Sequence, residues 1–134
     1  MKAIADTGFI VAFKNRADQH HAWAVDVARQ IEAPLLTCES VLSEAAFHLV
    51  SSDAVLTLVS AGMLQMAFDL GENAEKVHEL AKRYSDRHAD LADLCLIRMS
   101  ELYPHHTLIT VDTDFRVYRR NKREAIPVLC PPRN

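Results

Sequence analysis

Four carboxylates fall at positions where an α/β fold would bring them together. Asp6 ends the first apolar run of the chain, and Asp112 ends its most β-branched run. Glu44 lies in the first turns of a helix predicted after a second strand, and Asp93 lies in the first turn of a later helix. Because ligands of open α/β sheets bind beyond the carboxyl ends of the strands, all four acids map to one rim.

Acids gathered in this way predict a site for a hard cation. Carboxylates brought together repel one another and raise each other's pKa unless a cation neutralises them. Oxygen ligands suit Mg²⁺ or Mn²⁺ rather than zinc. Such clusters serve phosphoryl chemistry, in which the metal polarises the phosphate and activates water. Taken singly, each acid also has an ordinary role as a turn residue, a helix cap or a solvated charge, so the prediction depends on their joint occurrence.

Alternating strand and helix patterns would position these acids. Short apolar runs predict strands at residues 2–5, 35–37, 64–68, 107–111 and 126–129. Helical periodicity predicts helices at about residues 18–33, 41–49, 54–61, 73–84, 91–102 and 115–120. Strands separated by helices imply a parallel sheet covered on both faces. With no repeat or linker in the sequence, we predict a single domain over residues 1–134.

The charge distribution is uneven along the chain. The 134 residues carry a formal net charge of −3, which excludes a uniformly basic nucleic-acid wrapper. Residues 115–134, however, hold six basic residues against one acidic residue, and residues 1–114 hold nine against seventeen. The basic residues predicted to contact a nucleic-acid backbone, on one face if the helix continues, are Arg116, Arg119, Arg120 and Arg123. A solvated helix or ion pairs with the acidic body remain the alternative.

Cysteine, histidine and hydropathy patterns exclude several other classes. Cys38, Cys95 and Cys130 form no CxxC pair, and the seven histidines show no zinc-finger spacing. The N-terminus reaches an acid too soon for a signal peptide, and the most apolar run, residues 54–64, is too short to span a bilayer. We therefore predict a cytoplasmic protein without a membrane segment.

The acids stand in motifs that resemble those of PIN-domain ribonucleases. The motifs read Ala3-Ile4-Ala5-Asp6-Thr7-Gly8, Val41-Leu42-Ser43-Glu44, Asp90-Leu91-Ala92-Asp93-Leu94 and Ile109-Thr110-Val111-Asp112-Thr113-Asp114. Leu94 departs from the small residue that typically follows the third acid. The resemblance covers essentially the whole chain, and length and layout look most like the VapC-type toxins of bacterial toxin–antitoxin pairs.

The resemblance implies a three-layer α/β/α PIN-like fold with a five-stranded, mostly parallel sheet. It also implies a metal-dependent endoribonuclease that leaves a 3′-hydroxyl and a 5′-phosphate. The acidic quartet of the family would be Asp6, Glu44, Asp93 and Asp112. Asp6, Asp93 and Asp112 would hold Mg²⁺ or Mn²⁺. Glu44 would position metal-bound water or bind a second ion.

Four neighbouring residues are candidates for supporting roles. Thr7 and Thr110 would orient the carboxylates through hydroxyl hydrogen bonds, or are ordinary strand-end threonines. Asp90 opens the helix of the third motif and is predicted to be its cap rather than a ligand. Asp114 lies near enough to join the site through water, although a turn-forming role is favoured.

The resemblance also implies partners for the protein. These are an RNA substrate, a cognate antitoxin that fills the acidic cleft with an arginine or lysine in place of the metal, and a second copy. The helices around Trp23 and residues 54–63 are the predicted dimer surfaces.

Two other functions are compatible with parts of the sequence. One is a catalytically idle PIN-like module that binds RNA or protein. The other is a phosphatase of the haloacid-dehalogenase type, suggested by Asp-Thr-Asp at residues 112–114. Those enzymes carry Asp-x-Asp after the first strand, where this chain has Asp-Thr-Gly at residues 6–8, so we reject the phosphatase.

Overall fold

A computed structural model describes residues 1–133, and a parallel β-sheet forms its centre. The strands are β1 (Ala3–Ala5), β2 (Leu35–Thr37), β3 (Leu64–Met66), β4 (Thr107–Ile109), β5 (Arg119–Arg120), β6 (Glu124–Ala125) and β7 (Val128–Leu129). The helices are α1 (Thr7–Lys14), α2 (His21–Ala28), α3 (Glu39–Leu49), α4 (Ser52–Ser60), α5 (Leu70–Arg83) and α6 (Leu91–Leu102). The main sheet has the order β3-β2-β1-β4-β7 with every pair parallel, and β5 and β6 form a separate antiparallel hairpin.

The strand order explains why helices cover both faces of the sheet. From β1 the chain steps outwards to β2 and β3, and α1 to α4 occupy these crossovers. It then returns past β1 to β4 with α5 and α6 in the connection. Since parallel crossovers are right-handed, reversing the direction moves the helices to the opposite face. The predicted α/β class, the five-stranded sheet and its parallel pairing are confirmed.

Burial follows this layered arrangement. Every residue of β1 and β2 is buried, as expected for strands that are covered on both faces. Helix α6 buries seven of its twelve residues, and it packs against both β1 and β4. The most buried part of the molecule therefore adjoins β1 and β4, the two strands that precede Asp6 and Asp112.

Two helix starts differ from their predicted positions. Helix α5 begins at Leu70 because the Asp69 side chain accepts a hydrogen bond from the Glu72 amide, whereas Asn73 lies inside the helix. Helix α2 begins at His21, and the Asp18 side chain accepts from the His20 amide in the preceding turn. Local cap patterns therefore located these helices to within a turn only.

The segment after Asp112 is not the continuous helix expected over residues 115–120. A 3₁₀ helix covers Thr113–Arg116 and is followed by the β5–β6 hairpin. Asn121 and Lys122 form the hairpin turn with positive φ values of 48° and 70°. The expectation that four arginines share one helix face is therefore wrong.

Candidate active site

Asp6 and Asp112 lie on either side of the point where the strand order reverses. Asp6 follows β1 directly, and Asp112 follows its neighbour β4 after two residues. Crevices at such switch points are where open α/β sheets bind ligands. The topology therefore brings the first and last acidic motifs together although about a hundred residues separate them in sequence.

A single buried hydroxyl connects these two acids. Thr110 Oγ1 donates to Asp6 Oδ2 at 2.5 Å and accepts a hydrogen bond from the Asp112 amide at 2.9 Å. The other oxygen of Asp6, Oδ1, accepts from the Thr7 amide at 2.6 Å, which also caps α1. These hydrogen bonds fix the buried Asp6 carboxylate in one orientation.

Glu44 is held at the same edge from the neighbouring helix. Thr7 Oγ1 donates to Glu44 Oε2 at 2.8 Å, and this contact joins the start of α1 to α3. The two threonines therefore make the orienting contacts that the family resemblance implied, Thr110 with Asp6 and Thr7 with Glu44.

Asp93 and Asp90 form a reciprocal cap at the start of α6. Asp90 Oδ1 accepts from the Asp93 amide at 2.8 Å, and Asp93 Oδ2 accepts from the Asp90 amide at 3.2 Å. The prediction that Asp90 caps this helix is confirmed. Asp114 takes its turn-forming role, because its amide donates to Asp112 Oδ1 at 2.8 Å and its side chain does not line the cleft.

All four predicted acids line one open cleft of about 590 Å³. Its carboxylates are Asp6, Asp18, Glu44, Asp90, Asp93 and Asp112. Within residues 1–133, no lysine or arginine side chain lines this cleft. Six acids with no lysine or arginine of the described residues among them make a negative pocket, which attracts cations and repels an unaccompanied phosphate.

The pKa values of two acids reflect this environment. Burial raises the pKa of Asp6 to about 6, against the hydrogen bonds from Thr110 and Thr7, and the charges of Asp112 and Glu44 raise it further. Burial also raises the pKa of Asp93 to about 7, followed by the repulsion of the Asp90 carboxylate. Asp6 and Asp112 raise the pKa of Asp93 as well, so the acids share one electrostatic field.

The cleft contains further polar residues that the sequence did not single out for this site. Asp18, Gln19 and His20 reach it from the turn before α2, and His48 reaches it from α3, one turn after Glu44. The i, i+4 spacing of Glu44 and His48 was the only sequence signal for any of them.

Gly8 lets the start of α1 pack closely against Val111 in the wall of the cleft. A Cβ atom at this position would lie 2.2 Å from Cγ2 of Val111, a distance that no real side chain adopts. The start of α1 can therefore approach the Val111 side chain, and Asp112 beside it, only because residue 8 is glycine.

The donor set fits a hard divalent cation in chemistry. Asp6, Asp93 and Asp112 offer carboxylate oxygens from three separate elements, and no cation of the described chain neutralises them. Among residues 1–133, no three His, Cys, Asp or Glu side chains already stand close enough together to hold one ion. The acids therefore line one cleft, but within residues 1–133 no three of them are close enough together to bind the same ion.

Comparison with protein families decides the membership of this chain. A family model of the PIN domain matches residues 3–121. The chain belongs to the PIN-domain family. The resemblance inferred from the four acidic motifs is thereby confirmed.

A solved structure is similar in fold to this PIN domain. The crystal structure of VapC20 from Mycobacterium tuberculosis, described as a toxin that cleaves the sarcin-ricin loop, is similar with a TM-score of 0.74. The match covers 87% of this chain and 94% of that chain at 17% sequence identity. A search of curated proteins gives no match.

The arginines that follow the last acid of the PIN domain are separated by the structure. Arg116 and Arg123 are exposed and Arg119 is half-buried, whereas Arg120 is only 5% exposed. The Arg120 guanidinium donates to the carbonyls of Ser100 and Pro104 and to Glu124. Arg120 therefore attaches the hairpin to the body of the domain, and its predicted place on an RNA-binding face is corrected.

We expect Arg120→Met to lower the free energy of unfolding by about 2 kcal/mol, because the buried Ser100 carbonyl and the partly buried Pro104 carbonyl lose a charged donor. Arg123→Ala is the matched control and should leave stability unchanged, since its side chain is exposed. Urea denaturation measures both. Equal stabilities for the two variants would contradict the structural role of Arg120.

One further sequence prediction concerns the membrane. Among the helices of residues 1–133, none combines the length and the apolar character that crossing a bilayer requires. The cytoplasmic location remains a prediction.

Proposed function

We propose that this PIN domain is a metal-dependent endoribonuclease and the toxin of a toxin–antitoxin pair. One observation carries the proposal: carboxylates from four separate elements line one cleft, and within residues 1–133 no lysine or arginine lines it. Membership of the PIN-domain family and the likeness to a VapC toxin support it. At 17% identity we extend only RNA as the substrate class, and not a particular RNA.

Asp6, Asp93 and Asp112 are the residues that would hold the ion, which we propose to be Mg²⁺ or Mn²⁺. When bound there, such an ion would supply Lewis-acid chemistry, which polarises the phosphodiester and lowers the pKa of water. The Thr110 hydroxyl orients Asp6 and the backbone of Asp112. Glu44, held by Thr7, orients the attacking water and accepts its proton.

The reaction is hydrolysis at phosphorus. Water adds its oxygen to the phosphorus, the bond to the 3′ oxygen breaks, and the products carry a 3′-hydroxyl and a 5′-phosphate. Arg116, Arg119 and Arg123 are proposed to contact the RNA backbone, whose phosphates their positive charge attracts.

Two protein partners complete the proposal. An antitoxin would cover the cleft and place an arginine or lysine among the carboxylates, where the negative field favours a cation. A second copy would pack on the corner between α3 and α4, where Val50 and Leu56 are exposed. Trp23, the other predicted dimer contact, is partly buried and packs edge-on against Phe9 at 6.0 Å between ring centroids.

The idle-module alternative is favoured by one observation, the lack of three ready-placed ligands among residues 1–133. Purified protein incubated with total RNA in Mg²⁺ or Mn²⁺ separates the two functions. We expect fragments with 3′-hydroxyl and 5′-phosphate ends, and none after addition of EDTA. RNA that stays intact in both metals while still binding the protein would establish the idle module.

A further inference from the structure

An apolar groove of about 700 Å³ adjoins the acidic cleft. Glu44, His48 and Asp90 line both cavities, so the groove continues directly from the cleft. Its other walls include Phe47 from α3 and Leu91 from α6, which are 78% and 50% exposed. The groove therefore offers apolar surface beside the carboxylates of the site.

Phe47 presents an aromatic ring at the boundary between groove and solvent. It lies three residues after Glu44 on α3, so both side chains lie on neighbouring positions of one helix face. The ring meets the His48 imidazole edge-on, with centroids 5.5 Å apart and an interplanar angle of 75°. A single T-shaped neighbour covers at most one face of the ring, and Phe47 is 78% exposed, so the other face is available to a stacking partner.

We propose that this groove is a nucleobase subsite, in which one unpaired base beside the cleaved phosphodiester stacks on Phe47. The proposal rests on the proposed ribonuclease function. Every base has a π-face, and aromatic side chains are the usual platforms for unpaired RNA bases. Ser40 and Ser43 line the same groove and supply hydroxyls for the polar edge of the base.

The subsite determines which RNA the domain selects. A base in a duplex has both faces stacked, so it reaches Phe47 only after leaving the helix. The domain therefore prefers single-stranded or extruded nucleotides at this position.

Binding of short RNA oligonucleotides tests the subsite. We place Phe47→Ala, Phe47→Leu and Phe47→Tyr in an Asp6→Asn background with EDTA, so that the RNA stays intact. The probes are a single strand carrying 2-aminopurine, whose fluorescence falls on stacking, and a duplex of the same sequence. Leu102→Ala, which removes an exposed apolar side chain at the C-terminal end of α6 outside the cleft and the groove, is the matched control.

We expect Phe47→Ala and Phe47→Leu to weaken single-strand binding about 5- to 150-fold and to remove the fluorescence loss. Phe47→Tyr and Leu102→Ala should bind as the parent does, and duplex binding should change little. Equal binding by Phe47→Leu and the parent overturns the subsite, as does equal weakening for single strand and duplex.

Sedimentation and the cleavage assay distinguish the subsite from a dimer contact and from the ribonuclease function. A change of Phe47→Ala from dimer to monomer, with RNA binding per chain unchanged, assigns Phe47 to a second copy and overturns the subsite. Cleavage by wild type with no effect of Phe47→Ala on binding also removes the subsite and leaves the ribonuclease. Stacking at Phe47 without any cleavage keeps the subsite and removes the ribonuclease.

Discussion

Asp6→Asn and Asp93→Asn are each expected to reduce RNA cleavage in Mg²⁺ or Mn²⁺ by about a thousandfold or more. A catalytic metal contributes several kcal/mol of transition-state stabilisation, and each 1.36 kcal/mol is about a tenfold change in rate. Both amides keep a carbonyl oxygen for their backbone donors, the Thr7 amide at residue 6 and the Asp90 amide at residue 93. The loss therefore reports the charge rather than the fold. Initial rates on a labelled RNA measure it.

Asp90→Asn is the matched control for these variants. Its carboxylate also lines the cleft, and asparagine caps a helix as well as aspartate does. We expect a cleavage rate close to that of wild type, because Asp90 serves α6 as its cap. Equal cleavage by wild type, Asp6→Asn and Asp93→Asn would falsify the assignment of the acids.

The metal-free protein is expected to lose stability as the pH rises from about 4 to above 7. The pKa values of Asp6 and Asp93 are raised to about 6 and 7 in the fold, so the folded state binds more protons than the unfolded state in this range. The stabilisation that comes from protonating these two acids is complete below the ordinary aspartate pKa. It is lost as the pH rises through the raised pKa values of Asp6 and Asp93. Asp6 alone accounts for about 3 kcal/mol, equivalent to about 10 °C in Tm.

Added Mg²⁺ reverses the loss. At pH 8 the ion meets ionised carboxylates and should raise the Tm of wild type, whereas at pH 5 it must displace protons and should have little effect. Asp6→Asn in EDTA should be more stable than wild type at pH 8, because the buried charge is gone. Thermal scans with and without Mg²⁺ at both pH values provide the measurement. An equal effect of Mg²⁺ on Tm at pH 5 and pH 8 contradicts the coupling.

The parts of the fold that depend on local signals were predictable from sequence. Helix α6 spans Leu91–Leu102 as predicted, since Asp90 caps it and a proline follows soon after its end. The five strands lie within the predicted runs because each is a short apolar segment between breakers. One topological rule for parallel sheets then sufficed to bring Asp6, Glu44, Asp93 and Asp112 to one cleft.

Features that depend on distant contacts were not predictable. In the sequence Arg120 does not differ from the neighbouring surface arginines. It is buried because it binds the carbonyls of Ser100 and Pro104, which lie twenty and sixteen residues earlier. Likewise, Asp18 and His20 enter the cleft because the turn before α2 folds towards it. No periodicity marks either arrangement. In the sequence Phe47 is one more apolar residue of α3, and only the structure shows that its side chain is exposed.

The pairing of β1 with β4 has a consequence for synthesis of the protein. Ala3 pairs with Thr107, so the central strand lacks its second neighbour until residue 107 has left the ribosome. Contacts so distant in sequence form late in folding. Asp112 follows β4 and is synthesised 106 residues after Asp6. A chain interrupted before Asp112 therefore carries no complete acidic cleft.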